Sequence, residues 1–160
     1  MTAPLRPWSR ASQYDELPAE RLERWSRFGK WDTTFFPSFV GLELEEVRLD
    51  YARMRLPFRP ELNQPAGVIH GGAIATLIDT VVVPAVGSGY DDFMVMLTVD
   101  MQIRYLSAAV GTDLVAEGWI TRRGRSMLFV QAEVRGVDTG TVVAEGWMTY
   151  KVSAPRPESA

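Results

Sequence analysis

Hydrophobic and polar residues alternate along most of the chain after residue 41, a pattern typical of strands with one buried face. Leu42, Leu44 and Val47 predict a first strand, and residues 51–58 predict a second. The alternation returns in the last third of the chain. There it predicts four more strands, over residues 93–106, 113–121, 126–135 and 141–152.

Residues 71–86 interrupt this alternation, because nearly all of them are apolar or small. Such a stretch predicts a helix that is buried almost all round. Pro84 is expected to kink or end the helix, with Gly87 and Gly89 marking its end. Two strands, one long helix and four further strands predict an α+β domain. In it, an antiparallel sheet of five to six strands wraps around one central helix.

The first 40 residues follow a different pattern. Residues 1–17 predict an irregular arm, and residues 18–30 predict a short amphipathic helix. The aromatic residues that follow could form a lid over a pocket, but we favour a flap that covers the core; they are Trp31, Phe35, Phe36 and Phe39. We therefore divide the chain into an N-terminal arm with a short helix (1–40), a main domain (41–152) and a tail expected to be disordered (153–160).

The tetrapeptide AEGW occurs twice, at residues 116–119 and 144–147. Four residues are too few for a structural repeat. The recurrence predicts instead two strands that occupy similar places in the sheet.

Composition limits the chemistry available to this chain. It has no cysteine and one histidine, which excludes disulfides, thiolate sites and histidine-rich zinc sites, but not a carboxylate-bound magnesium. The net charge of −3 argues against nucleic acid as the main partner. No apolar run is long enough to span a membrane, and the N-terminus lacks a signal-peptide core. We therefore expect a cytoplasmic protein with no membrane partner.

The most unusual stretch is NQPAGVIHGGAIATLIDT, residues 63–80. It places two glycines at the start of the predicted helix and an acid, Asp79, on its apolar side. Burying a carboxylate is costly unless it is paired, and no basic residue lies three or four positions away. A helix N-terminus also offers free N–H groups and partial positive charge. We interpret the helix start as a site for a carbonyl or anion and Asp79 as a working acid or base. The alternatives are a tight turn and a buried structural acid.

Spacing sets a limit on this site. Gly71 and Asp79 are eight residues apart, or about 12 Å along a helix. One small carbonyl group cannot contact both. Either only one of them acts, or the site joins Gly71 of one subunit to Asp79 of another. A two-fold dimer with antiparallel central helices would create two such composite sites.

The order of elements, with HGGAIATLID and then LTVDMQIRYL, resembles the hot-dog fold and the PaaI-like acyl-CoA thioesterases. The resemblance extends over residues 41–151. It implies hydrolysis of the thioester of an acyl- or aryl-CoA. It also implies that coenzyme A enters as part of the substrate, with no separate cofactor, and that the protein is a homodimer or a dimer of dimers.

The same resemblance implies roles for individual residues. Asp79 is the nucleophile or general base, and the N–H of Gly71 polarises the thioester carbonyl. An amide side chain, Gln64 or the adjacent Asn63, helps to hold the carbonyl or the water. Thr98 positions the water.

Other residues are candidates for substrate binding. A cluster at one predicted hairpin could grip the phosphates of coenzyme A or could simply form a solvated turn; it consists of Arg122, Arg123, Arg125 and Ser126. Tyr90 could line the acyl pocket or pack in the core. Gly72 and His70 adjoin Gly71, and for His70 we favour a structural role in the loop.

Two other functions remain open from the sequence. A hot-dog hydratase would pair a histidine with an acid at a different spacing, so the HGG helix start argues against it. A non-catalytic acyl-CoA-binding regulator would retain the binding site without the reaction.

Overall fold

The computed structural model describes residues 6–155. Its helices are α1 (Ala19–Ser26), α2 (Phe36–Val40) and α3 (Gly71–Gly87), with short 3₁₀ turns at Ala11–Gln13 and Pro60–Leu62. Its strands are β1 (Glu43–Arg48), β2 (Tyr51–Leu56), β3 (Val95–Tyr105), β4 (Leu114–Arg123), β5 (Met127–Gly136) and β6 (Val142–Ser153). Most of the segment expected to form a disordered tail, residues 156–160, lies outside the described residues.

All six strands form one antiparallel sheet in the order β1-β2-β4-β5-β6-β3. Helix α3 packs against this sheet and forms the centre of the core, where Leu77, Ile78, Val81 and Val82 are fully buried. The sequence-based prediction of an α+β domain with one central helix is therefore confirmed. Burial on nearly all sides explains why α3 has almost no polar face.

We expected Pro84 to kink or end α3, and it does not end the helix, which continues to Gly87. Pro84 lacks an N–H and so removes one helical hydrogen bond. Its own carbonyl still accepts from the N–H of Ser88 at 2.9 Å, and its neighbours Ala85 and Val86 are fully buried. Packing therefore keeps the last turn helical.

The two AEGW segments lie on either side of β5, as predicted for similarly placed strands. Gly118 in β4 and Gly146 in β6 are both paired with Ala132 of β5. A Cβ on Gly118 would lie 2.9 Å from Val82 Cγ1, and one on Gly146 would lie 2.6 Å from Ile78 Cγ2. The missing side chains thus allow α3 to approach the sheet closely.

The N-terminal arm is fixed to the face of the sheet opposite α3. Glu117, which is 2% exposed, accepts hydrogen bonds from Ser9 Oγ at 2.6 Å, the Arg10 N–H at 2.9 Å and Tyr51 OH at 2.7 Å. Burial, followed by the charge of Glu117, raises the pKa of Tyr51. The arm is therefore an ordered part of the fold from residue 6 onward.

Charged residues continue this network along β1 and β2. The fully buried Arg53 donates to Glu45 at 2.9 Å and forms an ion pair with Glu46 at 3.0 Å, while Arg55 donates to Glu45 at 2.8 Å. Burial acts to raise the pKa of Glu45, but hydrogen bonds from Arg55 and Arg53 outweigh it, so the pKa is lowered. Ionised Glu45 thus stabilises the folded chain.

The aromatic segment does not form the flap that we expected. Phe35, Phe36 and Phe39 are 53%, 61% and 69% exposed, and Val40 is the residue of α2 that is buried. Trp25 of α1 covers the helix end instead, since a Cβ on Gly87 would collide with its ring. One aromatic residue, therefore, performs the covering role that we had assigned to several.

Candidate active site

The carboxylate of Asp79 is held by two hydroxyl groups. Thr98 Oγ1 donates to Asp79 Oδ1 at 2.8 Å, and Tyr150 OH donates to the same oxygen at 2.6 Å. Tyr150 OH also lies 2.7 Å from the main-chain oxygen of Asp79. Asp79 itself is half-buried, and no lysine or arginine within residues 6–155 forms an ion pair with it.

Sheet register explains this arrangement. Thr98 on β3 is paired with Tyr150 on β6, and a bulge follows Thr98 before the pairing resumes at Asp100. Tyr150 is 1% exposed, and burial together with the Asp79 charge raises its pKa, so it remains a hydroxyl donor at neutral pH. We did not identify Tyr150 from the sequence. The inward alternation of β6 was the only signal for it.

The start of α3 has a different arrangement. His70 is the N-cap residue, and its Nδ1 accepts a hydrogen bond from the Gly72 N–H at 2.8 Å. This capping contact is the structural role that we favoured for His70. Among the described residues the N–H of Gly71 has no acceptor, as expected for the first residue of a helix. The carbonyl of Gly71 accepts from Tyr105 OH at 2.9 Å.

A cavity of about 340 Å³ opens beside Gly71; its lining includes Ile74, Tyr105 and Ala109. A larger cavity of about 880 Å³ lies between α1 and β1, and none of the candidate site residues lines it. The smaller cavity is the relevant one, because Gly71, whose N–H is unbonded among the described residues, is part of its lining.

The two candidate amides lie in the loop before α3. Gln64 Oε1 accepts from the Ala66 N–H at 3.3 Å, and its main chain pairs with Val68. Asn63 Oδ1 is buried and has no hydrogen-bond partner among the described residues. Neither amide hydrogen-bonds to Asp79 or Thr98 within the described chain.

The arginine cluster divides into two groups. Arg123 donates to Asp50 and to the Val86 carbonyl, and its guanidinium lies 5.0 Å from the centre of the Tyr90 ring. These contacts favour structural roles for Arg123 and Tyr90. The other members of the cluster are exposed, Arg122 near the end of β4 and Arg125 and Ser126 in the turn that follows it.

The predicted residues thus form two separate groups. Asp79 and Thr98 meet at the middle of α3, whereas Gly71, Gly72 and His70 lie at its start. The groups are separated by about 12 Å along the helix axis, as its regular geometry requires.

Strand β3 lies at the edge of the sheet and carries exposed apolar side chains. Leu97, Val99 and Met101 are 56%, 55% and 40% exposed. Unpaired main-chain groups beside exposed apolar side chains favour pairing with another strand.

The described residues lack two other features, a metal-binding cluster and a membrane-spanning helix. Residues 6–155 contain no group of three or more acidic or histidine side chains suited to a metal ion. None of the helices in that range has the length and apolar character needed to cross a membrane.

Comparison of the sequence with known proteins identifies a matching family and several relatives. The profile of the thioesterase superfamily matches residues 66–150. A Halobacterium salinarum protein provisionally named an esterase is 34% identical over 72% of this chain and 82% of its own length. Human acyl-coenzyme A thioesterase 13 is 31% identical over 54% of this chain and 61% of its own length.

The fold is shared with solved structures. The E. coli PaaI protein superposes with a TM-score of 0.76 at 15% identity, over 87% of this chain and 97% of that protein. A Haemophilus influenzae thioesterase gives a TM-score of 0.76 at 18% identity, over 84% of this chain and 94% of that protein. At these identities the likeness concerns the fold alone.

Proposed function

This chain belongs to the thioesterase superfamily and is a thioester hydrolase, and we propose that it converts acyl- or aryl-CoA to free acid and coenzyme A at a site shared by two subunits. The main support for this proposal is the position of Asp79. It is a carboxylate on a helix of buried apolar residues, held by Thr98 and without a basic partner among residues 6–155. A structural acid in such a place would normally have a cation beside it.

Asp79 can act in either of two ways. As a nucleophile, its carboxylate attacks the thioester carbonyl carbon and expels the thiolate of coenzyme A, and water then hydrolyses the acyl–aspartate anhydride. As a general base, it takes a proton from water while the oxygen of that water attacks the carbonyl carbon. The tetrahedral oxyanion then collapses and expels the thiolate of coenzyme A, which takes up the proton from Asp79. Thr98 keeps the carboxylate in place in both cases, and in the second case it also helps to position the water.

The N–H of Gly71 supplies the oxyanion contact. It is unbonded among the described residues, and Gly71 lines a cavity, which supports its use as a donor to a developing negative charge. Because about 12 Å separates it from Asp79 of the same chain, the donor comes from the other subunit. Gln64 or Asn63 of that subunit's loop would complete the carbonyl site.

Pairing of β3 with its symmetry mate would bring the two groups together. Gly71 contacts Tyr105 and Asp79 contacts Thr98, and both partners lie on β3. An antiparallel β3 pair that sets Tyr105 of one subunit beside Thr98 of the other therefore places Gly71 near Asp79. This register puts the two-fold axis close to residues 101–102. Such a dimer would also cover the exposed apolar side chains of β3.

The basic turn would contribute to substrate affinity. Arg122 and Arg125 are exposed at one end of the sheet, where they could bind the phosphates of coenzyme A together with Ser126. Replacing both arginines by glutamine should raise KM for acyl-CoA and leave kcat unchanged, since neither side chain contacts the reacting atoms.

The test is the release of coenzyme A from short-chain, long-chain and aryl acyl-CoAs, followed with a chromogenic thiol reagent. The protein contributes no background because it has no cysteine. Asp79→Asn should abolish most turnover without loss of thermal stability. Asp138→Asn is the matched control, because Asp138 is exposed in the turn between β5 and β6, and it should retain turnover. Full activity of Asp79→Asn would refute the proposal, and tight binding without thiol release by the wild type would indicate an acyl-CoA-binding regulator.

The shared site has its own test. Asp79→Asn and Gly71→Pro subunits are each inactive alone, but a mixed dimer has one site with both intact groups. Random mixing makes half of the dimers mixed, so about a quarter of wild-type activity should return. A mixture that stays inactive although subunits exchange would show that Gly71 and Asp79 do not act across the interface.

A further inference from the structure

We infer that Tyr150 is a positioning residue that fixes the Asp79 carboxylate, with Thr98, so that Oδ2 is the oxygen that reacts. This inference rests on the proposed function, because it assigns a role to a neighbour of the proposed catalytic acid. It also adds a residue that sequence reasoning did not identify.

The two hydroxyl donors select the same oxygen. Thr98 Oγ1 and Tyr150 OH lie 2.8 Å and 2.6 Å from Asp79 Oδ1. A carboxylate oxygen has two lone pairs, so these contacts occupy the acceptor positions of Oδ1. Among residues 6–155, no donor contacts Oδ2. The lone pairs of Oδ2 are therefore the ones available to attack a carbonyl carbon or to accept a proton.

Burial and hydrogen bonding hold the Tyr150 hydroxyl in one orientation. Its ring is 1% exposed, and its hydroxyl also lies 2.7 Å from the main-chain oxygen of Asp79. The single proton of this hydroxyl is shared between Oδ1 and the main-chain oxygen of Asp79, which holds the carboxylate against its own main chain. Burial raises the pKa of Tyr150, and this keeps the hydroxyl proton in place. A solvent-exposed donor could turn away, but this one has no room to do so.

The arrangement also predicts how Asp79→Asn behaves. Both hydroxyls donate, so the amide should turn its carbonyl oxygen toward them and place its NH₂ group where Oδ2 was. The variant would then keep the hydrogen bonds at this site while losing the reacting oxygen. This explains why it should be inactive but well folded.

Tyr150→Phe tests the inference, with Tyr51→Phe as its matched control. Tyr51 is equally buried and also donates to a carboxylate, Glu117, at 2.7 Å, but on the opposite face of the sheet. Each variant keeps the ring and loses one hydroxyl. We expect kcat of Tyr150→Phe to fall by about 3- to 10-fold with KM unchanged, the loss expected for one hydrogen bond. We expect kcat of Tyr51→Phe to stay at the wild-type value, even where its thermal midpoint falls.

Thr98→Val provides a second measurement if Tyr150→Phe does not fold. It removes the other donor from an exposed edge strand and should also lower kcat without raising KM. Equal kcat losses in Tyr150→Phe and Tyr51→Phe would overturn the inference, because they would report a general loss of packing. Wild-type kcat in both Tyr150→Phe and Thr98→Val, with Asp79→Asn inactive, would also overturn it and leave the proposed function intact. An active Asp79→Asn would refute the proposed function itself.

Discussion

Replacing Gly71 with proline should remove the oxyanion donor while leaving the helix in place. Gly71 is the first residue of α3, and its N–H has no acceptor among the described residues. Proline is favoured at this position, because the N–H it lacks makes no helical hydrogen bond there. His70, which precedes it, has φ −63° and ψ 136°, a conformation that a residue before proline readily adopts.

The size of the effect follows from the single group that is lost. Loss of one oxyanion donor costs about 10²- to 10³-fold in kcat, or about 3–4 kcal/mol of transition-state stabilisation. The effect on folding should be small, since no hydrogen bond of α3 is lost. A Cβ at Gly71 would lie 3.3 Å from Tyr105 Cζ, a tight contact that the exposed tyrosine can relieve by a small movement.

Gly71→Ala is the matched control, because it introduces the same Cβ contact and keeps the N–H. Coenzyme A release measured under saturating substrate should show the alanine variant close to wild type and the proline variant reduced by about 10²-fold or more. Thermal unfolding should give similar midpoints for both. If the two variants have equal kcat, the N–H of Gly71 is not the oxyanion donor, and the shared site loses one of its two halves.

Three further predictions concern packing, charge and assembly. Gly146→Ala should lower the free energy of unfolding in urea by about 1–3 kcal/mol, because the new Cβ would lie 2.6 Å from the stiff Ile78 side chain; an unchanged value would contradict this. Because its pKa is lowered, Glu45 stabilises the fold at pH values above 4.5, the usual pKa of a glutamate, and this stabilisation is lost as the pH falls. Glu45→Gln should therefore weaken the dependence of the free energy of unfolding on pH in acid; the same pH dependence in variant and wild type would contradict this. Gln102→Cys should form a disulfide-linked dimer on mild oxidation, whereas Thr121→Cys on β4 should not; linkage of both equally would contradict the β3 pairing.

The contacts of the N-terminal arm with Glu117 predict how truncated variants of this protein behave. Ser9 and Arg10 satisfy a carboxylate that is 2% exposed, so removal of the arm would leave Glu117 with only Tyr51 as a partner on that face. An under-satisfied buried charge destabilises a fold strongly. Truncation from the N-terminus should therefore be interpreted first as a change in stability and only then as a change in substrate preference.

Much of the fold could be predicted because its signals are local. Alternation along a strand and a continuous apolar helix are visible in short windows, and the observed bounds of α3 and of β3 to β6 differ from the predicted ones by at most two residues. Errors arose where packing decided the outcome. Phe35, Phe36 and Phe39 remain exposed although their residue type suggested burial.

The candidate site was likewise predictable where the signal is local and not where it depends on tertiary packing. The sequence alone identified an acid on an apolar helix and a helix start with accessible N–H groups. Their spacing alone showed that one subunit cannot bring them together. Thr98 was a candidate through resemblance, and only the structure places its hydroxyl on Asp79.

The central helix, the six strands and the distance between Gly71 and Asp79 could be predicted from the sequence, because each depends on the regular geometry of a local segment. Tertiary structure alone decided that β6 lies beside β3 and that Tyr150 thereby reaches the same oxygen as Thr98. It also decided that the arm closes over Glu117. Strand order and register arise from contacts between residues far apart in the chain, and the local pattern of any one strand is compatible with several neighbours.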